Sequence, residues 1–266
     1  MHDESSDMIV LLLLTTIMGA CSFAAGMLPL MISLSEERLK LVSTLGMGVL
    51  MGTSLIVIIP EGVETLYGGS GGTGESTESG GGASSHSFVG MAMVLGFLMM
   101  YLIDKIPTLI QPHKPHSQPY IAVDNLNELG AYGAPNGVED LASNTKKEGA
   151  RRSLSTTIGL VIHSAADGIA FGASATSSNI ALTGIVFFAI LLHKCPAAFS
   201  LSVLLLKDGL AKKKVRQHLT VFSLAAPAGA IATYLVILLI APATSDDSST
   251  QWWTGLILLF SGGTFL

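Results

Sequence analysis

Charged residues are scarce in this sequence: Lys, Arg, Asp and Glu make up 12% of its 266 residues. A soluble domain carries about twice that fraction, so a soluble globular protein is excluded. Cysteine is also scarce, and both cysteines, Cys21 and Cys195, lie in apolar stretches, which argues against a disulfide framework. We expect no cleavable signal peptide, because the first apolar stretch is too long and follows acidic residues.

Long apolar stretches, in contrast, are abundant, and about 20 apolar residues are enough to cross a bilayer. Six stretches reach this length, at roughly 8–33, 41–66, 87–110, 154–176, 180–206 and 218–242. A seventh begins near Trp252 and continues to Leu266, so we expect the chain to end inside a span. The sequence therefore predicts an all-α, polytopic transmembrane helical bundle, organised as a single domain over residues 1–266.

Basic residues are distributed unevenly between the two sides of the membrane. Thirteen of the 14 Lys and Arg residues flank the spans on one side, and the remaining one, Lys194, lies inside a span. The opposite side carries acidic residues and no Lys or Arg. Because cytosolic loops are enriched in Lys and Arg, the N-terminus is predicted to face the outside or a lumen. Two segments without apolar periodicity are predicted to be flexible, a luminal linker over 68–85 and a cytosolic loop over 111–152.

The ionisable residues inside the spans are functional candidates, because a charge at mid-bilayer costs roughly 2.5–3.5 kcal/mol. In the fourth span, His163 and Asp167 are four residues apart and lie on one helix face. An imidazole and a carboxylate make half of a coordination shell for Zn²⁺ or a similar ion. The alternative is a hydrogen-bonded pair that holds helices together. Ser164 and Gly168 are small, and Gly168 opens a G-x-x-x-G motif that lets another helix approach closely.

A second histidine, His193, lies in the fifth span close to Pro196 and strengthens the case that His163 is a metal ligand. Because proline has no backbone N–H, the helix is expected to kink there and expose carbonyl oxygens. Lys194 lies in the same turn. A buried ammonium group needs a carboxylate, so we predict that Lys194 pairs with Asp167 or Glu61, the alternative being a side chain that reaches the interface.

The second span repeats the combination of a proline and an acid. Pro60 is followed directly by Glu61, and Glu64 lies one turn further out. Pro60 is expected to interrupt the helical hydrogen bonds. Glu61 is too deep for an ordinary cap and near enough to the luminal end to form an entrance for a cation. Glu64 is either part of that entrance or simply solvated.

With these residues identified, the sequence resembles the ZIP family of zinc and iron transporters, solute carrier family 39. The resemblance runs from Gly26-Met-Leu-Pro-Leu30 through Pro60-Glu61-Gly62 to the motifs at His163 and His193, and it covers all the spans. It implies a non-enzymatic transporter of eight spans with both termini outside. The family's His-x-x-x-Asp-Gly element falls on His163, Asp167 and Gly168, and its His-x-x-Pro element on His193 and Pro196. The implied metal site lies mainly between the fourth and fifth spans.

Two departures from the family pattern change the expected site. Many relatives have Asn where this chain has Ser164, which places Ser164 among the candidate ligands. Many also have acids around the proline, where this chain has Lys194, Ala197 and Ala198. We therefore expect a single ion, with Lys194 standing where a second would sit. The low carboxylate count favours Zn²⁺ as the transported substrate over harder ions, and the sequence leaves Fe²⁺ and Mn²⁺ open as alternatives.

The resemblance also implies an internal inverted repeat, a common feature of transporters. Gly52-Thr-Ser-Leu55 in the second span matches Gly263-Thr-Phe-Leu266 in the seventh. The implied partners are a divalent metal ion and the lipid bilayer. Nucleic acid is not an implied partner, and whether the protein forms a homodimer is left open. The implied location is the Golgi apparatus, the trans-Golgi network or the plasma membrane.

Two other functions stay open at this point. Seven apolar segments are also compatible with a membrane receptor, with a steroid-type ligand coupled to zinc signalling. An intramembrane zinc-dependent hydrolase would use histidine and aspartate to hold a zinc-activated water. The sequence has no H-E-x-x-H motif, which disfavours the hydrolase.

Overall fold

Eight α-helices and no strand occur in the part of the chain that the computed structural model describes, residues 2–32, 35–68, 85–109, 137–177, 180–240 and 247–266. The helices are α1 (His2–Met31), α2 (Glu36–Thr53), α3 (Ile59–Gly68), α4 (Ser85–Leu109), α5 (Gly137–Ser174), α6 (Ile180–Lys207), α7 (Lys212–Ile240) and α8 (Asp247–Gly263). A short π-helical segment, Ser54–Ile58, joins α2 to α3 without a break.

The predicted spans coincide with these helices. Six helical stretches are long and apolar enough to cross a membrane, and they match the six complete spans expected from the sequence. The seventh apolar stretch corresponds to α8. Many of their large apolar side chains are exposed to the surroundings, as expected for helices that face lipid. The prediction of an all-helical transmembrane bundle is therefore confirmed.

Helix α5 is longer than the sequence predicts. It begins at Gly137, so residues 137–152 of the predicted flexible cytosolic loop are helical. Eight of these 16 residues are Ala, Glu, Lys or Arg, which favour helix, and the apolar span that follows supplies the nucleus from which the helix extends. Residues 111–136 of that loop, and residues 69–84 of the predicted luminal linker, lie outside the described residues.

The helices pack as two groups. The first bundle consists of α1, α5, α6 and α7, and its core combines apolar side chains from all four helices with Leu258 of α8. The second bundle consists of α3, α4 and α8, which share a smaller core. The two bundles meet mainly where α8 lies against α5, and α2 packs on α6. Side chains at the contact between α5 and α8 are therefore supplied by both bundles.

Helices α5 and α7 are in backbone contact through small residues. A side chain at Gly168 would meet the backbone of Ala226, and one at Gly172 would meet the backbone of Ala230. Only glycine allows this approach, because a Cβ atom would occupy the space of the neighbouring carbonyl group. The prediction that the G-x-x-x-G motif admits a second helix is confirmed, and the helix is α7.

The two prolines near ionisable residues have different effects. Helix α6 continues through Pro196 from Ile180 to Lys207. Before Pro60 the backbone widens into the π-helical segment, where the Ile59 N–H bonds to the Ser54 carbonyl oxygen. The Ser54 hydroxyl also donates to the Gly262 carbonyl oxygen of α8 at 2.9 Å. The regular hydrogen bonding is thus altered next to Pro60, as predicted, and the altered turn is attached to α8.

Candidate metal centre

Three ionisable side chains converge in the first bundle: His163 and Asp167 from α5, and His193 from α6. The Nε2 atom of His163 lies 3.3 Å from Asp167 Oδ2, and the Nε2 atom of His193 lies 3.1 Å from the same oxygen. Tetrahedral zinc with ligands at 2.0–2.1 Å requires ligand atoms about 3.3 Å apart. We call this cluster the triad; its two nitrogen–oxygen distances match such a coordination shell.

The triad is closed off from solvent. His163 and His193 are 1% exposed and Asp167 is 0% exposed. The four-residue spacing on α5 places His163 directly over Asp167, and the packing of α6 against α5 brings in His193. The sequence prediction that these three residues share one helix–helix interface is thus matched by their positions. In such an environment a carboxylate is tolerated only with close partners of opposite charge or hydrogen-bond donors.

The hydrogen bond at the far side of the His193 ring fixes the role of its Nε2 atom. Nδ1 lies 2.8 Å from the carbonyl oxygen of Ala189, one turn earlier on α6. Because a carbonyl oxygen only accepts, Nδ1 carries the hydrogen. In the neutral ring Nε2 therefore presents a lone pair, and this lone pair faces a carboxylate oxygen of Asp167.

The ring of His163 is held at its Nδ1 atom as well, by one hydroxyl group of α8 and one of the turn that follows it. Nδ1 lies 2.8 Å from Thr264 Oγ1 and 2.9 Å from Ser261 Oγ. Ser261 donates its hydrogen to Asp167 Oδ1, and Thr264 donates its hydrogen to the Ser261 carbonyl oxygen at 2.6 Å. Since both hydroxyl hydrogens are used, Nδ1 of His163 is the donor in these contacts. Its Nε2 atom has no hydrogen-bond partner within the described residues.

With both rings neutral and protonated at Nδ1, neither Nε2 atom carries a hydrogen, and both face Oδ2 of Asp167 as acceptors. Buried acceptors that face one another repel, and a cation between them removes the repulsion. Two imidazole nitrogens and one carboxylate oxygen are a ligand set that zinc accepts, with a fourth position left open. The arrangement can therefore hold one divalent cation.

Lys194 does not form the ion pair predicted from the sequence. Its ammonium group donates to Ser164 Oγ and lies 4.5 Å from the centroid of the Phe222 ring. Within the described residues, no carboxylate oxygen lies within 4.0 Å of the Lys194 ammonium nitrogen. The ammonium is stabilised by a hydroxyl and an aromatic face instead. The predicted pairing with Asp167 or Glu61 is wrong.

Ser164, a candidate ligand, has partners outside the triad. Its hydroxyl accepts from Lys194 and donates to the Phe222 carbonyl oxygen of α7 at 3.0 Å. Its side chain is fully buried between α5 and α7. The hydroxyl of Ser164 is thus engaged by a cation and a carbonyl group.

The two acids of the second span lie apart from the triad. Glu61 is half-buried at the start of α3 and accepts a hydrogen bond from Thr65 at 3.3 Å. Glu64 is exposed. Neither acid belongs to the group of three ligands in the described part of the chain. The structure therefore separates the predicted entrance residues from the buried cluster.

Three residues of α8 and the turn after it complete the cluster and were missed by sequence reasoning. Ser261 and Thr264 hold His163 and Asp167, as described above. The ring centroid of Phe265 lies 4.1 Å from that of His163 and 6.3 Å from that of His193. This aromatic ring covers one side of the triad. The only sequence signal for this region is the short match between residues 52–55 and 263–266.

Comparisons with known proteins agree on one family. The sequence profile described as ZIP zinc transporter matches residues 8–266. A zinc transporter ZIP9 of Micropogonias undulatus is 38% identical over 282 residues, which cover 96% of this chain and 80% of the relative. The zinc transporter ZIP9 of Xenopus tropicalis is 37% identical over 288 residues, covering 100% and 83%. These names agree with the resemblance to solute carrier family 39 that the motifs indicate.

Proposed function

Because this chain belongs to the ZIP zinc transporter family, we propose that it carries Zn²⁺ across a membrane through the triad of His163, Asp167 and His193. The observation that carries the proposal is the convergence of both Nε2 atoms on one carboxylate oxygen of Asp167, at 3.3 and 3.1 Å, in a buried position. The names of the relatives support zinc as the cargo. The protein acts as a transporter and not as an enzyme.

The ligand set favours zinc over harder ions. Imidazole nitrogen suits borderline ions such as Zn²⁺, whereas an oxygen-rich shell suits Mn²⁺. Three protein ligands leave one coordination position for water or for a passing ligand. An ion held in this way can enter and leave by exchange at the open position, which a fully closed four-ligand site would not permit.

The route and direction follow from the charge distribution. Glu61 and Glu64 lie near the end of the second span that carries no Lys or Arg, and we assign them to the luminal entrance. The ion then reaches the triad and leaves on the cytosolic side by alternating access. An outward-facing N-terminus, a Golgi, trans-Golgi or plasma-membrane location and a homodimeric state stay predictions.

The proposal is tested by zinc uptake into vesicles that contain the purified protein. Uptake of zinc-65 should exceed that of protein-free vesicles and should saturate with zinc concentration. Added Mn²⁺ should compete weakly, because the triad offers one carboxylate only. Uptake equal to that of protein-free vesicles, over a range of zinc gradients, would remove the assignment.

The number of bound ions should depend on Lys194. In the wild type we expect one zinc ion per chain, because the ammonium group and Ser164 fill the space beside the triad. Replacing Lys194 by glutamate exchanges a cation for a ligand and should raise the ratio to two. Elemental analysis of the purified protein measures this ratio.

A matched variant separates the effect of adding a metal ligand at position 194 from the effect of removing the positive charge there. Lys194→Met removes the ammonium group without adding a ligand, and its ratio should stay at one ion per chain. If Lys194→Glu also keeps one ion, our account of this lysine is wrong. The same outcome would leave the assignment of the triad itself intact.

A further inference from the structure

We propose that Ser261 and Thr264 are positioning residues of the metal site, and that they link its zinc affinity to the contact between the two helix bundles. The inference rests on the proposed metal-binding role of the triad. It goes further in assigning a task to α8, which contributes no ligand to the triad.

The division of the site between the bundles is the first support. All three ligands belong to α5 and α6 of the first bundle, whereas the two hydroxyl groups belong to α8 of the second bundle and to the turn that directly follows it. Ser261 is 0% exposed and Thr264 is 6% exposed, so water does not replace their hydrogen bonds. The hydrogen bonds that Ser261 and Thr264 make to the ligand residues therefore cross the boundary between the two bundles.

Ser261 orients the carboxylate. It donates to Oδ1 of Asp167, which turns the other oxygen, Oδ2, toward both histidine rings. A carboxylate with one oxygen tied in this way presents a single, fixed ligand atom. Without this bond the carboxylate can rotate, and Oδ2 leaves the point where the Nε2 atoms meet.

Thr264 fixes the tautomer of His163. Its own hydrogen is donated to the Ser261 carbonyl oxygen, so its oxygen accepts the hydrogen of His163 Nδ1. The ring hydrogen is thereby held away from the metal position, and Nε2 is the free ligand atom. Phe265 packs against the same ring, with centroids 4.1 Å apart, and restricts its rotation.

A small shift of α8 would undo this arrangement without moving any ligand. The hydrogen bonds from α8 to His163 are 2.8 and 2.9 Å long, and such bonds are effectively lost beyond about 3.5 Å. Less than one ångström of additional separation is therefore enough to break both hydrogen bonds to the His163 ring. Zinc should bind tightly while the bundles are in contact and weakly once α8 has moved away.

The test removes one hydroxyl and retains the shape of the side chain. Thr264→Val should weaken zinc binding about 10- to 100-fold, the usual effect of losing an outer-shell partner, and Thr264→Ser should bind like the wild type. Thr254→Val is the matched control, since Thr254 is a fully buried threonine of α8 that bonds only to the Thr250 carbonyl oxygen in the described structure. Zinc affinity is measured on the full chain in detergent, by competition with a chelating dye.

The outcomes distinguish this inference from the proposed function. If the wild type binds no zinc, the proposed function fails. If the wild type binds zinc and Thr264→Val binds equally tightly, the positioning role is overturned. Equal weakening in Thr264→Val and Thr264→Ser would also overturn it, because packing rather than the hydroxyl would then be responsible. In vesicle uptake, Thr264→Val should raise KM with little change in maximal rate.

Discussion

Replacing Asp167 by alanine should reduce zinc uptake to the level of protein-free vesicles, with the protein still inserted in the membrane. Oδ2 of Asp167 is the atom that both Nε2 atoms face, at 3.1 and 3.3 Å, so its removal leaves two neutral nitrogens. Loss of an outer-shell partner alone costs about 10- to 100-fold in affinity, and loss of a ligand should cost more than 100-fold. His163→Ala should have the same effect.

Both variants should still insert into the membrane, because a span without the charged residue enters the bilayer more favourably than one with it. The comparison is made at equal amounts of membrane-embedded protein, measured by labelling at the surface of the vesicles. Asp104→Asn serves as the control, since Asp104 is an exposed acid at the end of α4 and should leave uptake unchanged. Undiminished uptake in Asp167→Ala or His163→Ala would disprove the role of the triad.

Replacing Gly168 by leucine should produce the largest loss of stability of any single change considered. A Cβ atom at this position would lie 2.9 Å from the Cα atom of Ala226 and still closer to its carbonyl oxygen. Backbone atoms stand on both sides of the contact, so α5 and α7 must separate. Overpacking of this kind costs about 1–3 kcal/mol and more where the backbone cannot adjust. The melting temperature of the protein in detergent should fall clearly.

Gly184 on α6 provides the control, because a Cβ atom there would meet nothing within 4 Å. Gly184→Leu should melt close to the wild type. Gly168→Leu should also lose zinc binding, since Asp167 is its neighbour in the chain. Equal melting temperatures for Gly168→Leu and the wild type would show that α5 and α7 are not held in the close contact described.

The bundle and the triad could be predicted from the sequence because both leave strong signals. Apolar stretches of about 20 residues have few explanations other than membrane spans. Ionisable residues within such stretches are costly, so His163, Asp167 and His193 stood out against their neighbours. Their spacing on α5 predicted that two of them share a face, and the distances agree.

The partners of Lys194 and the contribution of α8 could not be predicted, for a physical reason. Which face of one helix meets which face of another depends on packing, and the sequence pattern does not encode it for helices that are apolar all round. Serine and threonine in membrane helices also satisfy their hydroxyl groups locally, as Thr15 does with the Leu11 carbonyl oxygen at 2.9 Å. Ser261 and Thr264 therefore carried no signal that set them apart.

The single carboxylate of the triad has an electrical consequence. With both rings neutral, the empty site carries one negative charge, and a bound divalent ion turns this into one positive charge. Each elementary charge that crosses the bilayer gains or loses about 2.3 kcal/mol per 100 mV of membrane potential. For the inward transport proposed above, a cytosol-negative voltage would favour movement of the ion and would add to the energy for its accumulation.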